Sequence, residues 1–253
     1  MENSIGRLVK KVNKFKNSKF DAEIERRIDA GKVQISDANK LLEHLSNLIA
    51  YSQQAQSTKV TDVIDSGSLQ EAFCNFDIAK VAKLNPCDVV DTHWNNIKGI
   101  RQQTKIFQII MLARRLRSNE SISKLLLSSK IPKELHNLED YNTFWQEFRI
   151  LKSELKDTQV PFFRETTSLL HLLVSLGHDC VKPDSAVMKA AIDMGMVSKR
   201  SGENNLVKVV QTIQNYSIEN SRALPPPALD LYFLVCGGQT DAQKYVSSQY
   251  YNA

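Results

Sequence analysis

Apolar residues recur at the spacing of an α-helix wherever the sequence has a clear period, and this feature restricts the fold most. One such stripe lies within 41–49, and others lie within 104–117 and 166–176. Residues three or four positions apart share one face of a helix, so each stripe can be buried against a neighbouring helix. No segment alternates between apolar and polar residues as a half-buried strand would. The sequence therefore predicts an all-α fold, with further helices at 20–30, 77–83, 142–156, 185–194, 206–216 and 228–235.

Composition narrows the class of protein. The chain has 253 residues, of which 42% are hydrophobic and 24% charged, as in ordinary globular proteins. No apolar run approaches the length of a membrane span, and the N-terminus is too polar for a secretory signal. The four cysteines are scattered without a C-x-x-C pair, which argues against a structural zinc or an iron–sulfur cluster. We expect an intracellular protein that has no membrane partner, no metal and no cofactor.

The basic charge favours a polyanionic partner without requiring one. The formal net charge is +5. Basic residues at 7, 10, 11 and 14 share one face of a predicted N-terminal helix, and apolar residues occupy the other face. That helix is interpreted either as a surface helix docked by its apolar stripe or as a basic rim facing phosphates. Both interpretations can hold together.

A hairpin followed by a carboxylate is the most informative local pattern. Residues 160–177 predict a tight turn and an amphipathic helix, and a short loop then leads to Asp184 at the start of the next helix. Upstream, residues 48–57 read LIAYSQQAQS, and 76–106 predict a short helix followed by a glycine-led segment that opens a long helix. In this order, the three segments resemble the helix-hairpin-helix DNA glycosylases, the superfamily of endonuclease III, MutY and the 3-methyladenine glycosylases. The matched signatures are L-S-x-Q-x-[ST], a short helix and a second helix that precede G-[IFL]-x-x-x-K-A, and the hairpin with its aspartate.

This resemblance implies two helical lobes with a helix-hairpin-helix motif and a cleft between them. We place the core lobe with its hairpin at 38–176, and a second lobe formed by both termini at 1–37 plus 177–253. The implied activity is that of a DNA glycosylase, which flips a damaged base out of double-stranded DNA and hydrolyses its N-glycosidic bond. The implied protein is a cytoplasmic, nucleoid-associated monomer.

The resemblance also assigns roles to individual residues. Asp184 would be the catalytic carboxylate, because an ionised group there stabilises positive charge on the sugar and orients or deprotonates a water. The local sequence equally predicts that Asp184 caps a helix, and the two roles are compatible. Gln54 would probe the space left by the everted base. The residues implied to contact DNA through the hairpin are Pro161, Phe162, Phe163, Arg164 and Thr166.

The hairpin departs from the family pattern in two ways. The family has L-P-G-x-G, whereas here Pro161 is followed by Phe162, Phe163 and Arg164. A glycine-free turn can still offer N–H donors from the start of the next helix, and the arginine adds a charge-assisted phosphate contact. Bifunctional members carry a lysine nucleophile at about Thr166, which cannot form a Schiff base. We therefore expect a monofunctional enzyme without lyase activity. The sequence does not choose among alkylated purines, uracil, oxidised guanine and hypoxanthine as the lesion, and we favour alkylated purines.

Aromatic residues are candidates for a base pocket, and the function itself has alternatives. Tyr51, Tyr141 and Trp145 could stack against a flipped base, although aromatic residues at helical spacing also form cores. A non-catalytic helix-hairpin-helix module that binds DNA is the main alternative function. A helical adaptor unrelated to DNA is the third class, since all-α architecture alone implies no function.

Overall fold

The computed structural model describes residues 4–29, 35–53, 55–127 and 129–252. Across these ranges the secondary structure is helical, with no strand beyond one isolated backbone bridge between Lys16 and Val246. The predicted all-α fold is therefore confirmed. Within the same ranges, no helix is both long enough and apolar enough to cross a membrane.

The helices follow one another along the chain with short connections. The α-helices are α1 (Ser4–Phe15), α2 (Ser18–Asp29), α3 (Ala38–Ala50), α4 (Ser57–Asp65), α5 (Ser68–Ala72), α6 (Ile78–Val81), α7 (Pro86–Ile97), α8 (Thr104–Ser118), α9 (Glu120–Leu127), α10 (Leu138–Asp157), α11 (Thr166–Ser175), α12 (Ser185–Asp193), α13 (Glu203–Glu219) and α14 (Pro226–Cys236). Short 3-10 helices occur at Cys74–Phe76, Lys98–Ile100, Thr240–Tyr245 and Ser248–Asn252.

The chain divides into two compact units, each built from separated stretches of sequence. The terminal unit comprises Met1–Val33, Ile131–Arg149 and Glu165–Ala253, and the central unit comprises Gln34–Lys130 and Ile150–Arg164. The core lobe expected from the family resemblance is 38–176. In the structure, 131–149 and 165–176 instead group with the two termini, and α10 is divided between the units.

The terminal unit is organised around α14, which is buried along most of its length. Pro226 opens this helix, where a missing N–H costs nothing. Helices α1, α2, α12 and α13 pack against it. The ring of Phe20 meets Tyr232 edge-on, with centroids 4.8 Å apart. In α1 the stripe containing Ile5 is buried while the basic face is exposed, so α1 is a surface helix docked by its apolar side.

The central unit has its core between α3 and α8. The predicted stripe at 41, 42, 45, 48 and 49 is buried, as are the isoleucines at 106, 109 and 110 that face it. The 3-10 turn Lys98–Ile100 packs closely on α4: a Cβ atom added at Gly99 would lie 2.6 Å from the carbonyl oxygen of Lys59. Glycine is therefore required where the segment before α8 crosses α4.

Candidate functional site

Asp184 caps the N-terminus of α12, as the local sequence predicts. Its Oδ1 accepts hydrogen bonds from the N–H groups of Ala186 at 3.0 Å and Val187 at 3.1 Å. The side chain is half-buried. Within the described ranges, no hydrogen bond reaches its second oxygen, Oδ2. The carboxylate is thus held in a fixed orientation at the positive end of a helix, with one oxygen left for another partner.

A second carboxylate of the terminal unit, Asp230 on α14, is within electrostatic reach of Asp184. It is buried, and its Oδ2 accepts a hydrogen bond from Arg27 of α2 at 2.5 Å. Burial raises the pKa of Asp230, the Arg27 charge lowers it, and the Asp184 charge raises it. Asp230 is not among the site residues predicted from the sequence. The available signal was one aspartate inside the otherwise apolar segment ALDLYFLV.

The end of α14 fixes the start of α12. A Cβ atom added at Gly237 would lie 2.1 Å from the carbonyl oxygen of Ala186, so the two backbones touch at this point. The N–H group of the same alanine donates to Asp184. The helix contact therefore holds the backbone that orients the carboxylate.

The hairpin turn between α10 and α11 adopts a left-handed conformation without glycine. Phe162 has φ 66°, and the N–H of Phe163 donates to the carbonyl of Pro161 at 2.7 Å, which makes a γ-turn. Phe163 is buried, Phe162 is half-buried against it with ring centroids 5.0 Å apart, and Arg164 is exposed. One N–H donor of the turn is therefore already used inside the protein.

Thr166, the first residue of α11, is buried rather than presented to solvent. Its hydroxyl donates to Oε1 of Glu203 at 3.1 Å, within the terminal unit. This is the position where bifunctional members of the resembled family carry their lysine. A DNA contact through this hydroxyl would require breaking the hydrogen bond to Glu203. Among the five hairpin residues predicted to contact DNA, Thr166 is therefore the one with the least structural support.

A buried lysine anchors the loop that precedes Gln54. The Nζ of Lys105 donates to the carbonyl oxygens of Ala50 at 2.8 Å, Ser52 at 2.7 Å and Ile100 at 2.8 Å. Gln54 itself lies outside the described residues, but its neighbour Gln53 has φ 53°. The glycine-led motif of the sequence analysis contains Lys105, with one residue more before the lysine than in the family pattern.

The three aromatic candidates occupy different environments. The hydroxyl of Tyr51 is 2.8 Å from Oγ1 of Thr61, and its side chain is half-buried. Trp145 is 3% exposed, and its indole N–H donates to Gln214 at 2.8 Å, so it is a core residue. Tyr141 is half-buried; burial raises its pKa, and a hydrogen bond with Asn215 opposes that increase. Of the two roles that the aromatic spacing allows for Trp145, packing in the core and stacking on a flipped base, the structure therefore supports packing in the core.

The sequence matches no family model, and comparisons with curated proteins and with solved structures find no match. In the residues that the structure describes, no group of three or more His, Cys, Asp or Glu side chains is arranged to hold a metal ion. The support for a function therefore comes from this chain's own residues and from the motif resemblance.

Proposed function

We propose that this protein is a monofunctional DNA glycosylase that removes damaged bases, with alkylated purines as the preferred lesions. The observation that carries the proposal is Asp184. It follows the hairpin in the order that the resemblance requires, and two backbone N–H groups hold one of its oxygens while the other has no partner in the described ranges. An oriented carboxylate with an available oxygen is what hydrolysis of an N-glycosidic bond needs.

The proposed reaction separates a base from its sugar with the help of that oxygen. The flipped nucleotide loses its base as the bond between C1′ and the base nitrogen breaks, and the electron pair leaves with the base. Positive charge develops on the sugar and is stabilised by the negative carboxylate. A water then forms a bond to C1′ and gives a proton to Asp184, which passes it to the departing base or to solvent.

The absence of a lysine nucleophile supports hydrolysis without strand cleavage. The position corresponding to the family's lysine is near Thr166, whose hydroxyl is engaged by Glu203. A hydroxyl cannot form the Schiff base that lyase activity requires. Treatment with borohydride during the reaction should therefore trap no covalent adduct between protein and DNA.

Two features of the central unit fit a role in holding DNA. Lys105 donates hydrogen bonds to the carbonyls of Ala50 and Ser52, in the segment that the resemblance matches to the family's probing motif. Arg164 is exposed at the hairpin, where a guanidinium can bind a phosphate. Both support DNA contact by the segments that the resemblance matched.

The test is a panel of duplex oligonucleotides that each contain one lesion: an alkylated purine, uracil, an oxidised guanine or hypoxanthine. Hot alkali after incubation reveals abasic sites as strand breaks. We expect the Asp184→Asn variant to lose activity at least about 100-fold while keeping its DNA affinity, because asparagine preserves the cap but removes the charge. The matched control is Asp37→Asn, since Asp37 caps α3 by the same geometry, with its Oδ1 accepting from Asn39 and Lys40 at 2.9 Å.

The outcomes separate a catalytic carboxylate from a capping one. Loss of base release in Asp184→Asn but not in Asp37→Asn supports the mechanism. Equal activity of both variants removes Asp184 from the reaction. No strand breaks on any lesion, with the wild-type protein, would reject the glycosylase assignment.

A non-catalytic DNA-binding module is the second candidate, and the hairpin favours it. The γ-turn uses the N–H of Phe163 internally, so the turn has one donor fewer for a phosphate than a glycine-rich hairpin would offer. A module of this kind should bind duplex DNA with steep salt dependence but release no base. An adaptor unrelated to DNA, the third class of the sequence analysis, should show no salt-dependent binding to duplex DNA.

A further inference from the structure

A cavity of about 510 Å³ lies in the terminal unit, at the opposite end of α12 from Asp184. The length of α12 separates the two by about 13 Å along the helix axis. The cavity is lined by α1, by the ends of α12 and α14, and by the 3-10 helix Ser248–Asn252. Its volume falls in the range of small-molecule binding sites.

One wall of the cavity carries two cations. Arg7 and Lys11 are one helical turn apart on the exposed face of α1, and the buried, apolar Leu8 lies beside them. The Nζ of Lys11 is 4.9 Å from the centre of the Tyr250 ring, an attractive cation–π contact that orients the lysine. The acidic lining residue, Asp193, is paired with Lys189 at 3.5 Å. Positive charge is therefore in excess at this wall.

The facing wall is neutral and partly aromatic. Burial raises the pKa of the Cys236 thiol and of the Tyr250 hydroxyl, and each of the two groups also influences the pKa of the other. Neither therefore adds a negative charge at neutral pH. Tyr251 packs edge-on against Tyr250 with centroids 4.9 Å apart, and it is 44% exposed. An aromatic surface and the apolar Met194 are thus available next to the cations.

We propose that this cavity binds a phosphate monoester carried on a planar ring, of the size of a nucleoside 5′-monophosphate. Such a phosphate carries about −1.5 to −2 charge at pH 7, which matches two cations better than a single carboxylate would. The guanidinium of Arg7 can bind two phosphate oxygens at once, while Lys11 acts as a point charge. The ring lies against Tyr251 and Met194. This site is independent of the proposed glycosylase activity, since it uses none of the residues assigned to it.

Two sources share this chemistry: a free nucleotide and the 5′-terminal phosphate of a DNA strand. The experiment is isothermal titration of the full chain with AMP and, separately, with adenosine at low ionic strength. AMP should bind at least about tenfold more tightly than adenosine, because only AMP carries the phosphate. Arg7→Gln and Lys11→Gln should each weaken AMP binding about tenfold, whereas Lys14→Gln, an exposed lysine of the same helix that does not line the cavity, should leave it unchanged.

A competition experiment identifies the source. A short oligonucleotide is added to the AMP complex with either a 5′-phosphate or a 5′-hydroxyl. Stronger displacement by the phosphorylated strand assigns the site to DNA ends, and no displacement by either strand assigns it to free nucleotides. Equal displacement by both strands would overturn the proposal, as would absent AMP binding, equal affinity for AMP and adenosine, or an equal loss in Lys14→Gln. Thermal unfolding of each variant confirms that the exposed substitutions leave the fold intact.

Discussion

Lys105 and Asp230 are both buried ionisable residues, but their hydrogen-bonding groups are paired to different extents. All three hydrogen bonds that a lysine ammonium can donate are made by Lys105, to carbonyl oxygens of three chain segments. Asp230 has one oxygen bonded to Arg27, while its Oδ1 has no hydrogen-bond partner among the described residues. The hydrogen-bonding capacity of the lysine is therefore fully used, whereas the aspartate, which is within electrostatic reach of Asp184, is only partly paired.

At this scale we predict that Lys105→Met destabilises the protein by about 3–5 kcal/mol. Three buried carbonyls would lose their donor, and each unsatisfied group costs about 1–3 kcal/mol. The free energy of unfolding should be measured by urea denaturation. The control is Lys83→Met, an exposed lysine whose replacement should change the free energy by less than about 0.5 kcal/mol. Similar values for both variants would mean that the three carbonyls find other donors.

The structural role of a single residue can be predicted from the sequence only where that role depends on neighbouring residues in the chain. The cap formed by Asp184 depends on its own position before a helix, so the sequence was sufficient to find it. The burial of Lys105 depends on carbonyls contributed by α3, by the following loop and by a 3-10 turn. Helical periodicity identifies an apolar face but does not say which polar residue beside it will be enclosed.

At the scale of elements, the contact between α12 and α14 decides how the candidate carboxylate is held. Gly237 and Gly238 are neighbours, but they are glycines for different reasons. Gly237 has an ordinary φ of −68° and is required because the Ala186 carbonyl leaves no space for a side chain. Gly238 has φ 72° and open space around it, so its requirement is conformational.

We predict that Gly237→Ala is more destabilising than Gly238→Ala. The first change forces a methyl group into a backbone carbonyl, at a cost of about 3 kcal/mol. The second places alanine in the left-handed region, at about 1–2 kcal/mol. Hydrogen exchange provides the specific readout: the N–H groups of Ala186 and Val187 should exchange faster in Gly237→Ala and remain protected in Gly238→Ala. Equal protection in both variants would show that the helices do not meet as closely as the structure indicates.

Elements with a strong apolar stripe are identified from their spacing, whereas α4 and α7, which have two buried residues each, are not. The stripes of α3, α8 and α11 were identified from spacing alone. Apolar spacing does not identify helix α7, because its buried residues are only Val89 and Ile97, and only the family resemblance implies a helix in this region. Its start nevertheless carries local signals, with Asn85 as the cap and proline at the first turn. Helix α4 was missed for a related reason, since it is rich in β-branched residues that favour strands.

At the scale of the whole molecule, an ion cluster connects the N-terminal segment to α14 within the terminal unit. Glu23 of α2 accepts hydrogen bonds from Arg26 at 2.7 Å and from Arg27 at 2.8 Å, and Arg27 also bonds Asp230 of α14. The predicted lobe limits could not follow from local sequence, because pairs such as this one lie at opposite ends of the chain. Which residues pair over a separation such as the 203 residues between Arg27 and Asp230 is decided by the packing of the folded chain.

This cluster predicts that acid weakens the terminal unit through Glu23. Burial raises the pKa of Glu23, but hydrogen bonds from Arg26 and Arg27 outweigh that effect and lower it to about 2 from the ordinary value of 4.5. A lowered pKa contributes stability that is complete above pH 4.5 and is lost as the pH falls toward 2. Glu23→Gln should therefore cost about 1–2 kcal/mol at pH 7, after allowance for screening by solvent, and progressively less below pH 4.5.

The measurement is urea denaturation of the wild type and of Glu23→Gln at pH 7, 4 and 3. Glu25→Gln, which changes an exposed glutamate of the same helix, is the control and should differ from the wild type by less than about 0.5 kcal/mol at each pH. A difference between wild type and Glu23→Gln that does not shrink in acid would contradict the role of this carboxylate.

The contact between Phe20 and Tyr232 has a consequence for protein synthesis. The aromatic ring emerges from the ribosome long before the helix that will cover it, and at about 5–20 residues per second the delay is roughly 10–40 seconds. During that interval the apolar side of the newly made N-terminal segment has no native partner. Nascent chains of this protein therefore expose a hydrophobic surface to chaperones until α14 has been synthesised.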